Sequence, residues 1–289
     1  MNLDDWRSRI NNLDEQILDL LNQRAQAALQ IGELKRLQDL PYFAPEREAQ
    51  VLERLVARNQ GPLPADGVKA IWREIVSAAL ALEMPLKVAF LGPAGTFTHQ
   101  AAIQRFGSSA QLVPVPTIAS TFDVLEHNQA EYGVVPVENT IEGAVNVTLD
   151  RLLDTDVSIT GELTLEIAQH LISRAAKLDE IKLVCSHPQG LAQCRQWLAA
   201  HLPNARTEEM TSTAAAAARA AGDPTVAGIA SEVAARLVGA PILQRNIEDN
   251  PFNSTRFLVL GRRLMTATGR DKTSIVAFMR EDHPGALLE

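Results

Sequence analysis

The chain has 289 residues, room for roughly two domains of ordinary size. It is 46% hydrophobic and 21% charged with a formal net charge of −8, which fits a folded protein with ample core and argues against a general nucleic-acid binder. Cys185 and Cys194 form no C-x-x-C pair, the N-terminus lacks a signal-peptide pattern, and no segment approaches the roughly 18 apolar residues of a membrane span; a cytoplasmic protein without disulfides, metal or membrane partner is expected.

Residues 3–37 contain no proline and a single glycine, Gly32. Apolar residues at Leu3, Trp6, Ile10, Leu13, Ile17, Leu20, Ala27, Ile31 and Leu34 keep three-and-four spacing. This predicts one helix about 50 Å long with an apolar seam. Residues 1–85 offer too little core to cover that length, so a homodimer sharing the helix is expected. Arg24 falls on the seam, where a guanidinium needs an anion, an edge to snorkel to, or an internal carboxylate. Lys35 lies just past Leu34, and Arg47 and Glu48 open a second helix after the break "DLPYFAPERE". Three cations from two helices can converge on a dianionic small molecule. A third helix, about Asp66 to Glu83, closes the bundle.

From Lys87 short apolar runs alternate with helical stretches, predicting an α/β domain with mostly parallel strands. The expected strands are "KVAFL", "YGVVPVE", "VSITGELTLEIAQHLI", "IKLVCS", "VAGIAS" and "TRFLVLG". The turn Gly92-Pro93-Ala94-Gly95 between the first strand and a helix start is a ready anion site. It lacks the Lys-Ser/Thr pair of a P-loop and the third glycine of a dinucleotide loop, which suits a smaller anion such as a carboxylate. An ordinary turn with Thr96 or Thr98 capping the helix is the alternative. Beyond strand ends, where such sheets bind ligands, stand Thr96 and Thr98, Glu138-Asn139-Thr140, Ser186-His187 and Asn253-Ser254-Thr255-Arg256. Glu138 and Arg256 read equally well as site residues or as a structural ion pair.

Two resemblances sharpen this reading. "WRSRINNLDEQILDLLNQRAQAALQIGELK" followed by "APEREAQVLERL" resembles the all-helical chorismate mutase family, three-helix chains that dimerise around the first helix and convert chorismate to prephenate without a cofactor. The resemblance implies that Arg7 (from the other subunit), Arg24 and Arg47 bind carboxylates, that Lys35 donates to the ether oxygen, and that Glu48 accepts from the substrate hydroxyl. Glu83 stands where that family often has glutamine, and a glutamate donates only when protonated, so its pKa must be raised or the reaction must favour acid pH. Ala79 and Ala44 replace a frequent serine and aspartate.

"GPAGTFTHQAA", "YGVVPVENTIEGAV", "CSHPQGLAQCRQWL", "AGIASEVAARLVGAPIL" and "DNPFNSTRFLVLG", in this order, resemble the prephenate dehydratase family. The implied fold is two α/β lobes, like a type-2 periplasmic binding protein, with prephenate in the cleft. The resemblance implies that Thr255 assists the leaving hydroxyl, that Arg256 shapes the site or binds carboxylate, and that Thr96, Thr98, Glu138, Asn139, Ser186 and Gln193 surround the ligand. "DKTSIVAFMREDHPGALLE" resembles the opening of an ACT regulatory domain, with Gly285, Ala286 and Leu287 in its phenylalanine loop. The expected organisation is thus a mutase domain over 1–85, a dehydratase domain over 86–265 and an incomplete ACT unit over 272–289, with weak or absent phenylalanine feedback. A degenerate mutase segment serving only as dimeriser, or a non-enzymatic carboxylate sensor, are the competing readings.

Overall fold

The computed structural model describes residues 2–38, 45–263, 269 and 271–275. Ala44 and the phenylalanine-loop residues Gly285, Ala286 and Leu287 lie outside the described residues.

Three helices come first: α1 (Leu3–Leu37), α2 (Pro45–Arg58) and α3 (Ala65–Glu83). A capping box starts α1, in which the Asn2 side chain accepts from the Asp5 N–H while the Asp5 carboxylate accepts from the Asn2 N–H. Asp4 and Asp5 in the first turn and Lys35 and Arg36 in the last suit the helix dipole. Of its 35 residues only Ala28 and Gly32 are buried, and Leu3, Trp6, Ile10, Leu13, Ile17 and Leu20 are all exposed.

The first lobe contains β1 (Lys87–Leu91), α4 (Phe97–Phe106), β2 (Gln111–Val115), α5 (Ile118–Glu126), β3 (Tyr132–Asn139), β4 (Gly143–Ala144), α6 (Asn146–Leu153) and β5 (Ser158–Glu166). The second contains β6 (His170–Ile172), β7 (Leu183–Ser186), α7 (Pro188–Gln193), α8 (Arg195–His201), β8 (Arg206–Glu209), α9 (Thr213–Gly222), β9 (Val226–Ala230), α10 (Glu232–Val238) and β10 (Ile242–Gln244). The chain then returns to the first lobe as β11 (Ser254–Gly261), the long central strand between β3 and β5.

The first sheet runs β2-β1-β3-β11-β5 with β4 on β3, and the second β10-β6-β9-β7-β8. Both sheets are mixed, not mostly parallel as the alternation of elements suggests. β1 pairs in parallel with β2 and β3, and β7 with β8 and β9, while β11 is antiparallel to both its neighbours and β6 to β9 and β10. The reason lies in the two crossings between lobes. The apolar run expected to form one strand, 157–172, breaks after Glu166 into β5 and β6, which belong to different sheets. β11 comes back in the opposite sense.

Each lobe has its own core. Val88, Phe90, Val134, Phe257 and Val259 pack on one face of the first sheet, and Phe122, Leu125, Val135 and Leu258 on the other. Leu171, Val184, Ala227, Ile229 and Ile247 centre the second. Leu80 of α3 packs on the core that includes Leu86 and Phe106, which seats the helical segment on the first lobe.

Candidate functional sites

Near the end of α1, the Lys35 ammonium lies 3.5 Å from the Glu83 carboxylate at the end of α3. The Glu83 side chain is only 8% exposed. Burial pushes its carboxyl above the ordinary value, against the opposing pull of Lys35 and of the nearby Arg24 charge. Gly32 makes this approach possible, since a Cβ there would lie 3.0 Å from the Glu83 Cγ. The structure thus brings Lys35, Glu83 and Arg24 together. Arg7, Arg47 and Glu48 have partners of their own. Arg7 pairs with Asp4 at the exposed start of α1, Arg47 donates to Gln50, and Glu48 is engaged by Arg105 of α4 at 3.0 Å.

A second site lies between the lobes, a cleft of about 310 Å³. Of the residues expected there, Thr96, Thr98, Asn139, Gln193 and Thr255 line it. Asn139 and Thr255 face each other across β3 and β11. The Asn139 carboxamide oxygen accepts from the Ile141 and Glu142 N–H groups at 2.9 and 3.1 Å, which fixes its orientation. Its amide nitrogen then donates to Thr255 Oγ1 at 2.8 Å and also to Asn253 Oδ1 at 3.0 Å. With one lone pair so occupied, the Thr255 hydroxyl is polarised and its proton directed elsewhere.

Helix N-termini converge on the same space. α4 presents Thr96, Phe97 and Thr98, and α9 presents Ser212 and Thr213 from the opposite lobe. Thr96 serves as the N-cap, its hydroxyl accepting from the His99 N–H and donating to the Leu91 carbonyl. The capping role and the cleft-lining role therefore coexist. The turn before it is held across the lobes: Gly95, at φ +94°, packs on Ala214 and Ala234, where a Cβ would sit 3.2 Å from Ala214. Ser231 also donates to the Gly95 carbonyl at 2.9 Å.

Three expected residues are placed off the cleft. Strand alternation puts Asn139 and Thr255 on its side and turns their neighbours Glu138 and Arg256 away. These two form a half-exposed ion pair at 3.2 Å, with Glu162 as the second partner of Arg256. Ser186 is fully buried and donates to the Ile229 carbonyl at 2.8 Å, and Gly190 leaves it room. Conversely, Gln169, Glu142, His187, Gln189 and the Thr211–Thr213 turn line the cleft without having been expected there, except that His187 stood in a singled-out pair. Gln169 donates to Gln193 Oε1 at 3.0 Å, and its own buried Oε1 has no partner among the described residues. Glu142 is the one carboxylate in the lining, and no lysine or arginine of the described residues joins it.

Among the described residues no group of three or more His, Cys, Asp or Glu could hold a metal ion, and no helix is long and apolar enough to cross a membrane. Burial pushes the Cys185 thiol up to about 11 and the Cys194 thiol higher still, so neither is a ready nucleophile.

Comparison with known proteins matches two families. Residues 6–84 match the family described as Chorismate mutase type II, and residues 88–264 match Prephenate dehydratase. A bifunctional chorismate mutase/prephenate dehydratase of Aquifex aeolicus is 47% identical, spanning 99% of this chain and 80% of its own. The protein of the same name from Pseudomonas aeruginosa is 44% identical over 98% of this chain and 79% of its own. Among solved structures, the prephenate dehydratase of Arthrobacter aurescens in complex with L-Phe is 37% identical, with a TM-score of 0.63 over 71% of this chain and 70% of that one.

Proposed function

The chain belongs to the bifunctional chorismate mutase/prephenate dehydratase family and carries both activities, as an enzyme of phenylalanine biosynthesis; from that membership we propose which of its groups perform each reaction. In the helical segment, chorismate rearranges to prephenate as the ether C–O bond breaks and a C–C bond forms. Lys35 donates to the ether oxygen as negative charge gathers on it, the point where a fixed donor gains most. Glu83 is the second donor in its protonated form, and the buried position that raises its pKa supports this. Arg24, Arg47 and the Arg7 of a second copy hold the two carboxylates, and Glu48 accepts from the ring hydroxyl. The uncovered apolar stripe of α1 supports a homodimer built along that helix, which would carry Arg7 to the neighbouring site.

In the cleft, prephenate becomes phenylpyruvate. The C–C bond to the ring carboxylate breaks, its electron pair completes the aromatic ring, and the C–O bond to the ring hydroxyl breaks with its pair leaving on oxygen. Thr255 hydrogen-bonds that departing oxygen, and the single observation that carries the assignment is its orientation by Asn139. A threonine hydroxyl is a weak acid, so it acts as a positioned donor and the oxygen leaves as water after solvent proton transfer. With no lysine or arginine in the described lining, the free N–H groups of α4 and α9, with Thr98, receive the carboxylates. The unpartnered Gln169 Oε1 takes a hydrogen from the ligand. Two buried free thiols suit a reducing cytoplasm.

The test supplies the purified chain with chorismate and, separately, with prephenate, and follows prephenate and phenylpyruvate. Phenylpyruvate from both substrates is expected. Product from prephenate alone would reduce the helical segment to a dimeriser, and product from neither would overturn both assignments.

A further inference from the structure

Helix α4 touches both sites. Its N-terminus lines the dehydratase cleft, and Arg105 in its last turn reaches the helical segment, binding Glu48 Oε2 at 3.0 Å. The pair joins residues 57 apart in sequence and is sheltered, the Glu48 side chain 10% exposed and that of Arg105 22%. Its surroundings hold it in place. The guanidinium lies 5.7 Å from the Phe106 ring, at the end of a helix where the dipole favours a cation. Just beyond, the Ser108 N–H donates to Glu74 of α3 at 3.1 Å and the Ser109 N–H to Ser77 at 3.2 Å. Gly107, at φ +78°, lies so close to Ser77 that a Cβ would meet its side chain at 2.4 Å. The end of α4 is therefore clamped to two of the three mutase helices.

We propose that Arg105, a residue of the dehydratase domain, is a positioning residue for the mutase reaction. It anchors Oε2 of Glu48 and leaves Oε1, which has no partner among the described residues, to accept from the chorismate hydroxyl. A charge-assisted bond from a guanidinium fixes the orientation of the carboxylate it holds. The mutase site is then completed by the second domain of the chain. This rests on the reading of Glu48 as the hydroxyl acceptor, and the variants separate the two ideas.

Steady-state mutase kinetics on the full chain would compare Arg105→Ala, Arg105→Lys, Glu48→Gln and the double variant Glu48→Gln/Arg105→Ala, with turnover of added prephenate reporting in each that the chain is folded. Arg105→Ala is expected to lower mutase kcat/KM about tenfold, the scale of one charge-assisted bond, chiefly through kcat. Dehydratase turnover should stay within about twofold, and Arg105→Lys should recover most of the loss by restoring such a bond. In the Glu48→Gln background Arg105→Ala should add little, because the group it orients is already gone. An unchanged or raised mutase rate in Arg105→Ala beside a lowered one in Glu48→Gln would overturn the proposal while keeping the reading of Glu48. Additive losses, or an equal fall in dehydratase turnover, would overturn it as well by showing Arg105 to be only a structural tie. An unchanged rate in Glu48→Gln would remove the reading itself and the proposal with it.

Discussion

Helix α1 buries two of its 35 residues, whereas β11 buries six of its eight. The helix carries Arg24 and Lys35 on an element whose apolar face is uncovered, with Arg7 at its exposed start, while Glu48 of α2 is paired with Arg105 of the second domain. The strand carries Thr255 inside a sheet with both neighbours in place, and its partner Asn139 is already bonded to it. On the proposed assignment one site draws Arg7 from a second copy of the chain, and the other has its Thr255–Asn139 pair in place within one copy. That assignment has the same chain use association for one reaction and strand register for the other.

The largest expected effect tests the register. Thr255→Val should lower dehydratase kcat by about 100-fold or more, the scale of a positioned proton donor, with mutase turnover unchanged. Arg256→Met, one residue along but on the opposite face, should leave most of the dehydratase rate. An equal loss in both variants would mean that the strand does not divide site from support in this way.

Next comes the association. Glutamates at Ile10 and Ile17, both about half exposed on the uncovered stripe of α1, place two charges where a partner helix would bury apolar surface. Each burial is worth roughly 1.5–3 kcal/mol, so the doubly substituted chain should sediment as a monomer. Its mutase rate should fall at least about tenfold through the absent Arg7, while the dehydratase persists. A monomer with full mutase activity would break the contrast between the two regions.

The same contrast explains what the amino-acid pattern could reveal. The seam of α1 was legible because three-and-four spacing is local, and Arg24 and Lys35 stood out as cations on or beside it. The cleft was legible in its blocks and less so in its facing. Nothing in "VVPVEN" or "STRF" says which of two adjacent residues points inward, and both their place beyond strand ends and the resemblance grouped Glu138 with Asn139 and Arg256 with Thr255. The pairing of β3 with β11 decides, and it is a contact between residues more than 110 apart. Gln169 escaped notice because it sits at a crossing hidden inside one apolar run. The Thr211–Thr213 turn follows β8, whose charged sequence Arg206–Glu209 reads as loop and forms a strand at the protected edge of the second sheet.

A smaller effect sharpens the account of Glu83. Its raised pKa means that the donor form is lost as pH rises through that value, so mutase turnover should fall toward alkaline pH. Glutamine donates at every pH. Glu83→Gln should therefore flatten the alkaline limb while keeping or raising the rate there by a few-fold, whereas an unchanged pH profile would remove Glu83 from the reaction.

The smallest effect compares the two lobes. His99 in the first accepts the Gly95 N–H at 3.0 Å while stacked on Phe90, and His170 in the second accepts the Asn246 N–H at 3.1 Å. Both are buried, and burial lowers both below the ordinary histidine value, with Arg245 adding to the effect at His170. In the unfolded chain each takes up its proton first as pH falls through about 6.5. The unfolded state then binds more protons than the folded one, so stability is full above that pH and declines below it, until the folded-state values are reached. The loss should be seen as a falling thermal midpoint between neutral and mildly acid buffer. His99→Gln, which removes one titrating ring, should shrink the decline. Because His99 holds the turn that packs on Ala214 and Ala234, its protonation should also loosen the first lobe's grip on the second, and prephenate affinity should weaken over the same pH range in the wild type but less in His99→Gln.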